Sequence, residues 1–255
     1  MEKINPHKAF SPLPQNLPQE EYKCPLCRDT GWRIINDKAV ACSCRNESKL
    51  AFKKSRAGLS LALVEKTFAT FCLQYYPEYK KVEQGASYRV LANKALKAAK
   101  NFVACQIAQR PCRGLLIEGD VGRGKTFLAA AITNQLLENN IDTLFLVVPE
   151  FLEQLRYTYQ ENSSTNEGEL MSRAANVPVL ILDDLGAHNF SDWTKNKIFT
   201  LINYRLNHQL PCVITSNLSI DELNDVIGSR TVSRIMEMCD VYRLYCDRDL
   251  RMKDQ

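Results

Sequence analysis

The chain has 255 residues, enough for one large domain or for a medium domain with a small module beside it. Its formal charge of +4, from 33 basic and 29 acidic residues, permits a nucleic-acid partner without demanding one. No apolar run approaches the ~20 residues of a membrane span and MEKINPHKAF lacks the apolar core of a signal peptide, so no membrane association and a cytoplasmic location are expected, where ten cysteines read as metal ligands before disulfides.

Residues 1–20 carry Pro6, Pro12, Pro14 and Pro18, too many for a stable helix, and read as a flexible arm, either a solvated tail or a docking segment. Residues 21–58 hold Cys24-Pro-Leu-Cys27 and, beyond a strand-like run, Cys42-Ser-Cys44. The first spacing lets two thiolates share one metal, and a hairpin would fold the second pair back on the first. Four thiolates suit a closed tetrahedral zinc site, which supplies folding energy to a module too small for its own core. Iron in the same cage and a redox-active pair are the alternatives. Lys49, Lys53, Lys54 and Arg56 follow on a predicted helix, as a solvated face or a contact to a nucleic-acid backbone. Residues 59–85 read as a linker into a second domain over 86–255.

That domain opens with an amphipathic helix over Ser87 to Gln109, Val90, Leu91, Ala95, Leu96, Ala99, Phe102 and Val103 recurring at helical spacing. A buried strand at Leu115 to Ile117 then runs into Gly119-Asp120-Val121-Gly122-Arg123-Gly124-Lys125-Thr126, followed by Phe127 and an alanine-rich helix to Leu137. This is a phosphate-binding loop in its strand-loop-helix setting. Its glycines let consecutive N–H groups approach a phosphate, Lys125 supplies a point charge to the β/γ-phosphates, and the Thr126 hydroxyl is a magnesium ligand. Gly119 through Phe127 are therefore the candidate ATP contacts.

Ile141 to Val148 reads as a second strand closing a right-handed βαβ unit, Glu150 to Gln160 as a helix, and Glu161 to Gly168 as a loop. Val179-Leu-Ile-Leu-Asp183-Asp184 is a third strand, ending in the acid for Mg2+ (Asp183) and the acid that orients the attacking water (Asp184). After a helix over Trp193 to His208, a fourth strand, Cys212-Val-Ile-Thr215-Ser216-Asn217, delivers Asn217 to the edge where open α/β sheets bind ligands; Asn217 reads as a partner for water or the γ-phosphate, or as a turn former before the helix at Asp221. Arg230 and Arg234 share a helix face, and Arg243, Arg248 and Arg251 follow. The fold class is α/β, a parallel sheet with flanking helices.

The ordered set GDVGRGKT, LILDDLG, TSN, RTVSRIME and Asp249-Leu-Arg251 resembles the DnaC/DnaI-type helicase loaders and the related IstB transposition ATPases of the AAA+ class, over about residues 59–255, and CPLC…CSC looks like the zinc module many of these loaders carry. The resemblance implies an AAA+ ATPase that self-associates as a ring or spiral segment, binds the replicative hexameric DNA helicase and helps place it on single-stranded DNA, with ATP, Mg2+ and Zn2+ as cofactors. By motif position it implies Asn217 as sensor-1 residue, Arg234 as trans-acting arginine finger and Arg251 as sensor-2 arginine, with Tyr157 and Tyr159 facing single-stranded DNA. One departure is Asp184 where AAA+ enzymes commonly carry glutamate, which fits slow hydrolysis and a switch. Three competing functions stand beside the loader: a transposase helper, a DNA-binding adaptor that keeps ATP unhydrolysed, and a small-molecule P-loop kinase.

Overall fold

A computed structural model describes residues 22–83, 85–159, 166–187, 191–247 and 249–251. The arm at 1–20 and Arg248 lie outside the described residues. The chain divides into two compact units, 1–49 and 50–255.

In the first unit, β1 (Trp32–Ile35) and β2 (Lys38–Ala41) pair antiparallel, Trp32 opposite Ala41 and Ile35 opposite Lys38. Asn36 and Asp37 between them take φ of 50° and 58°, the left-handed pair a two-residue hairpin turn needs and these two residue types tolerate. No residue of either strand is buried. Among the described residues of this unit, the buried apolar ones are Cys27 and Cys42, so within them the hairpin has no core beyond these cysteines. Helix α1 (Cys44–Arg56) follows, its residues from Leu50 onward belonging to the second unit.

The second unit is built on five parallel strands. In chain order they are β3 (Gly114–Glu118), β4 (Thr143–Val147), β5 (Val179–Asp183), β6 (Cys212–Ser216) and β7 (Cys239–Arg243). Their order across the sheet is β4-β5-β6-β3-β7. β3, β5 and β6 are buried at every position, which is why each reads as an apolar run that turns polar only at its C-terminal end, at Glu118, Asp183 and Thr215-Ser216. Successive side chains alternate between two layers. Leu115, Ile117, Ile181 and Val213 face α2 (Tyr88–Ile107) and α3 (Lys125–Glu138). Leu116, Leu180, Leu182 and Ile214 face α4 (Val148–Tyr157), α6 (Asp192–Asn207), α7 (Ile220–Ile227) and α8 (Ser229–Met238). Because the strands are parallel, the loops leaving β3, β5 and β6 meet at one edge of the sheet.

Several elements differ from the sequence expectations. β3 and β4 are not neighbours, since β5 and β6 lie between them. Helix α5 (Glu167–Asn176) begins inside the stretch read as a loop, capped by Asn166, whose side chain accepts from Gly168 N–H at 2.8 Å. With glycine in its first turn and Ala174 its one buried residue, it carries little apolar signal. β7 was not expected; its charged Asp240 and Arg243 fit an edge strand. Residues 59–85, expected as a linker, contribute Leu59, Phe71 and Tyr76 to the layer beneath α2 and α3. In the basic run on α1, Lys53 Nζ donates to Asn140 at 2.8 Å and Lys54 Nζ lies 3.4 Å from Glu138, so both charges pack against the end of α3. No helix among the described residues is long and apolar enough to cross a membrane.

Candidate functional site

The phosphate loop spans the end of β3 and the start of α3. Gly119 has a φ of 142°, and a Cβ there would stand 2.3 Å from Leu244 O. Gly124 is left-handed at φ 88° directly before α3, and its Cβ would stand 2.7 Å from Tyr76 Oη. A side chain at either position would collide with these groups and strain a positive φ, so the loop can take this path only with glycine there. Within the loop, Asp120 and Arg123 form an ion pair at 3.6 Å, while Val121 is exposed. Lys125 is only 5% exposed, and its Nζ donates to Gly119 O at 2.6 Å, Asp120 O at 2.7 Å and Asn217 Oδ1 at 2.5 Å. Burial draws the ammonium down to about 8, against the opposing pull of Asp184 and Asp183.

The acids stand opposite this lysine. Thr126 Oγ1 lies 3.1 Å from both carboxylate oxygens of Asp183, an arrangement one Mg2+ could share. Burial pushes the Asp183 carboxyl up, while hydrogen bonds from Thr215 and Thr126 pull it down. Thr215 Oγ1 donates to Asp183 at 2.6 Å and accepts the Asp184 N–H at 2.9 Å, so one hydroxyl joins the two acids. Asp184 leaves the strand at φ 63°, a conformation aspartate tolerates better than most residues. Its carboxylate accepts from Asn217 Nδ2 at 2.6 Å.

A cavity of about 710 Å3 opens over these groups, within the range of small-ligand sites. One end is the loop, Asp183, Asp184 and Asn217; the other is a wall that includes Leu63, Lys66, Phe71 and Phe127. The Phe71 ring lies 5.6 Å from those of Phe127 and Tyr76, and Lys66 Nζ sits 5.3 Å over Phe127. Such a wall suits a flat heterocycle beside the phosphates. Sequence reading missed it, because Phe71 and Tyr76 fall in the stretch taken for a linker; the aromatic cluster there was the available signal.

Arg251 also lines the cavity, its N–H bonded to Asp249 at 2.9 Å. Arg234 does not. It lies on α8, paired with Glu237 at 3.2 Å. Tyr157 and Tyr159 at the end of α4 are exposed and stand outside the cavity, with Tyr159 edge-on to Trp193 at 6.0 Å and its hydroxyl on Glu167.

In the first unit, the sulfurs of Cys24, Cys27, Cys42 and Cys44 all lie within 4.8 Å of one another. Cys24 and Cys42 are 3.8 Å apart and Cys27 and Cys44 3.3 Å. A tetrahedron of sulfurs ~2.3 Å from zinc has edges of ~3.8 Å, so the donor set and its spacing fit Zn2+. Gly31 N–H points at Cys27 Sγ at 3.3 Å, the outer-shell contact that orients a thiolate. As thiols the four crowd one another, and the hydrogen bond with Cys27 foremost holds Cys44 well above the usual range; a divalent cation inverts that balance.

Comparison with known proteins agrees with this geometry. The sequence profile of the family described as IstB-like ATP binding protein matches residues 73–244. The replicative helicase loader DnaI of Bacillus subtilis (strain 168) is 32% identical over 145 residues, 52% of this chain and 46% of that one. This chain thus spans about half the length of that relative. The phage-like element PBSX protein XkdC of the same organism is 26% identical over 250 residues, covering 91% of this chain and 86% of that protein. The crystal structure of the DnaI superposes with a TM-score of 0.57 at 25% identity, over 76% of this chain and 94% of that one. The five-stranded parallel sheet with its phosphate loop is accordingly the AAA+ core that the motifs implied. Since the matching profile runs from the turn at the cavity wall to the residue beyond β7, the chain belongs to the family of IstB-like ATP binding proteins.

Proposed function

We propose that this chain is an ATPase that loads a replicative DNA helicase onto single-stranded DNA. The observation that carries the catalytic half is Asn217, which bridges Lys125 and Asp184 at 2.5 and 2.6 Å. A site that only held nucleotide would need the lysine, but not an amide reaching from it to a second acid. The replication half rests on the likeness to the loader DnaI.

ATP supplies the phosphoanhydride whose cleavage switches the protein between partners. Lys125 and the loop N–H groups hold its β/γ-phosphates, with the heterocycle against Phe71 and Phe127. Thr126 and Asp183 would hold Mg2+. Asp184 and Asn217 orient the attacking water, and Asp184, shorter than the usual glutamate, keeps turnover slow. Arg251 closes the site from the same chain. Arg234, which does not line its own cavity, serves a neighbouring copy, so the protein works as a self-associated ring or spiral segment. Tyr157 and Tyr159 stack on bases of single-stranded DNA, and the four cysteines hold Zn2+ in a module that contacts the helicase.

The test is a pull-down from source-cell lysate with ATP present, comparing wild type with Lys125→Ala and Cys24→Ser. Capture of the replicative helicase by wild type, with loss in Cys24→Ser, supports the loader and its zinc contact. Capture of a transposase instead supports a transposition helper, the second reading, favoured by the IstB-like family profile. Steady ATP turnover abolished by Asp184→Asn excludes an adaptor that keeps ATP intact.

A further inference from the structure

Tyr76 belongs to none of the motifs that define the phosphate loop, yet it is among the largest fully buried side chains. It follows a short 3-10 turn, Leu73–Tyr75, and its hydroxyl donates to Arg123 O at 2.8 Å, in the middle of the loop. The backbone around it is held twice: Arg89 Nε donates to Tyr76 O and the Cys246 thiol to Tyr75 O, each at 3.2 Å. Its ring leans on Phe71 at 5.6 Å. Burial raises the phenol well above its ordinary value, so it remains a donor across the physiological range.

The carbonyl it grips belongs to the peptide between Arg123 and Gly124. A glycine on one side makes such a peptide easier to rotate, and Gly124 sits at φ 88°, a conformation glycine adopts without steric cost. In a trans peptide C=O and N–H point opposite ways, so fixing the first aims the second. We propose that Tyr76 is a positioning residue for the phosphate loop, its hydroxyl pinning the Arg123–Gly124 peptide so that the Gly124 N–H is offered to phosphate in one direction. This rests on the reading of the cavity as an ATP site.

Tyr76→Phe keeps the ring and removes only the donor, and the experiment compares it with wild type and Lys125→Ala in the full chain. Binding of ATP, ADP and inorganic tripolyphosphate is measured by calorimetry with Mg2+, alongside KM and kcat. All three ligands are expected to weaken together, roughly tenfold, with KM rising in parallel and kcat within about twofold of wild type. A merely structural role lowers the melting temperature and the folded fraction, hence kcat, and leaves KM in place; that pattern overturns the proposal. So do unchanged dissociation constants. A loss for ATP and ADP but not for tripolyphosphate assigns Tyr76 to the wall for the base and overturns it as well. If Lys125→Ala binds ATP as wild type does, the ATP-site reading falls first and the proposal with it.

Discussion

Asn217 Oδ1 accepts a 2.5 Å hydrogen bond from Lys125 Nζ, and the other end of the same amide donates to Asp184. The loop lysine and the second acid are therefore one network through a single side chain. Removing it in Asn217→Ala leaves the Gly119 and Asp120 carbonyls on the lysine but takes a donor from Asp184. ATP turnover is expected to fall by about 10²-fold, with the ATP dissociation constant changed only a few-fold. An equal loss in binding and turnover would show that the amide acts on bound ATP before the reaction starts.

Lys125 makes the site sensitive to alkaline pH in two opposite senses. The ammonium titrates near 10.5 in the unfolded chain and about 8 when buried. Between those values the folded state binds fewer protons than the unfolded, so the stability of the nucleotide-free protein rises with pH through this window; below it the contribution is flat. Phosphate binding needs the charge, so ATP affinity falls over the same window. Thermal melts and ATP titrations from about pH 7 to 9.5 check both signs, and Lys125→Met should flatten both curves.

The four-cysteine cluster predicts metal-dependent order confined to one unit. The hairpin of β1 and β2 buries none of its own residues, so among the described residues a metal shared by the four cysteines would be the main tie within 22–49. Purified protein should carry about one zinc per chain. A chelator, or Cys24→Ser, should remove amide-exchange protection from that segment while ATP binding in the second unit persists. Protection that survives removal of the metal would argue that the cysteines pack without one.

Much of the candidate site was legible because its residues are tied to strand ends. A buried parallel strand is mostly apolar, so the glycine or polar residue that follows it stands out: Gly119 after β3, Asp184 after β5 and Asn217 after β6. The aromatic wall was not legible, because Phe71 and Tyr76 sit in irregular chain with no period to reveal that they are buried. Thr215 was visible only as a small polar residue ending a strand; its bond to Asp183 depends on β5 and β6 being neighbours, which spacing along the chain does not encode. α5 and β7 escaped for a related reason, since one buries a single residue and the other lies at the sheet edge.

Arg205 shows the same limit from the side of stability. It is a charged residue in the last turn of α6, yet it is fully buried. Its guanidinium meets carbonyls: Nη1 donates to Ala174, Ala175 and Val177 at 3.0, 3.1 and 2.8 Å, Nη2 to Pro178 and Pro211 at 3.3 and 2.7 Å, and Nε approaches Cys212 Sγ at 3.1 Å. One planar group thus closes the C-terminus of α5, where backbone acceptors lack helical partners and the dipole favours a cation, and joins it to the starts of β5 and β6. Arg205→Met strands those carbonyls in the interior and should cost about 3–5 kcal/mol; Arg205→Lys, with one point charge for a five-donor plane, should cost about 2 kcal/mol. Denaturant midpoints measure both, and ATP affinity of the folded protein should not change, since Arg205 does not line the cavity. A methionine variant as stable as wild type would mean that removing the buried cation's desolvation cost compensates for every bond it makes.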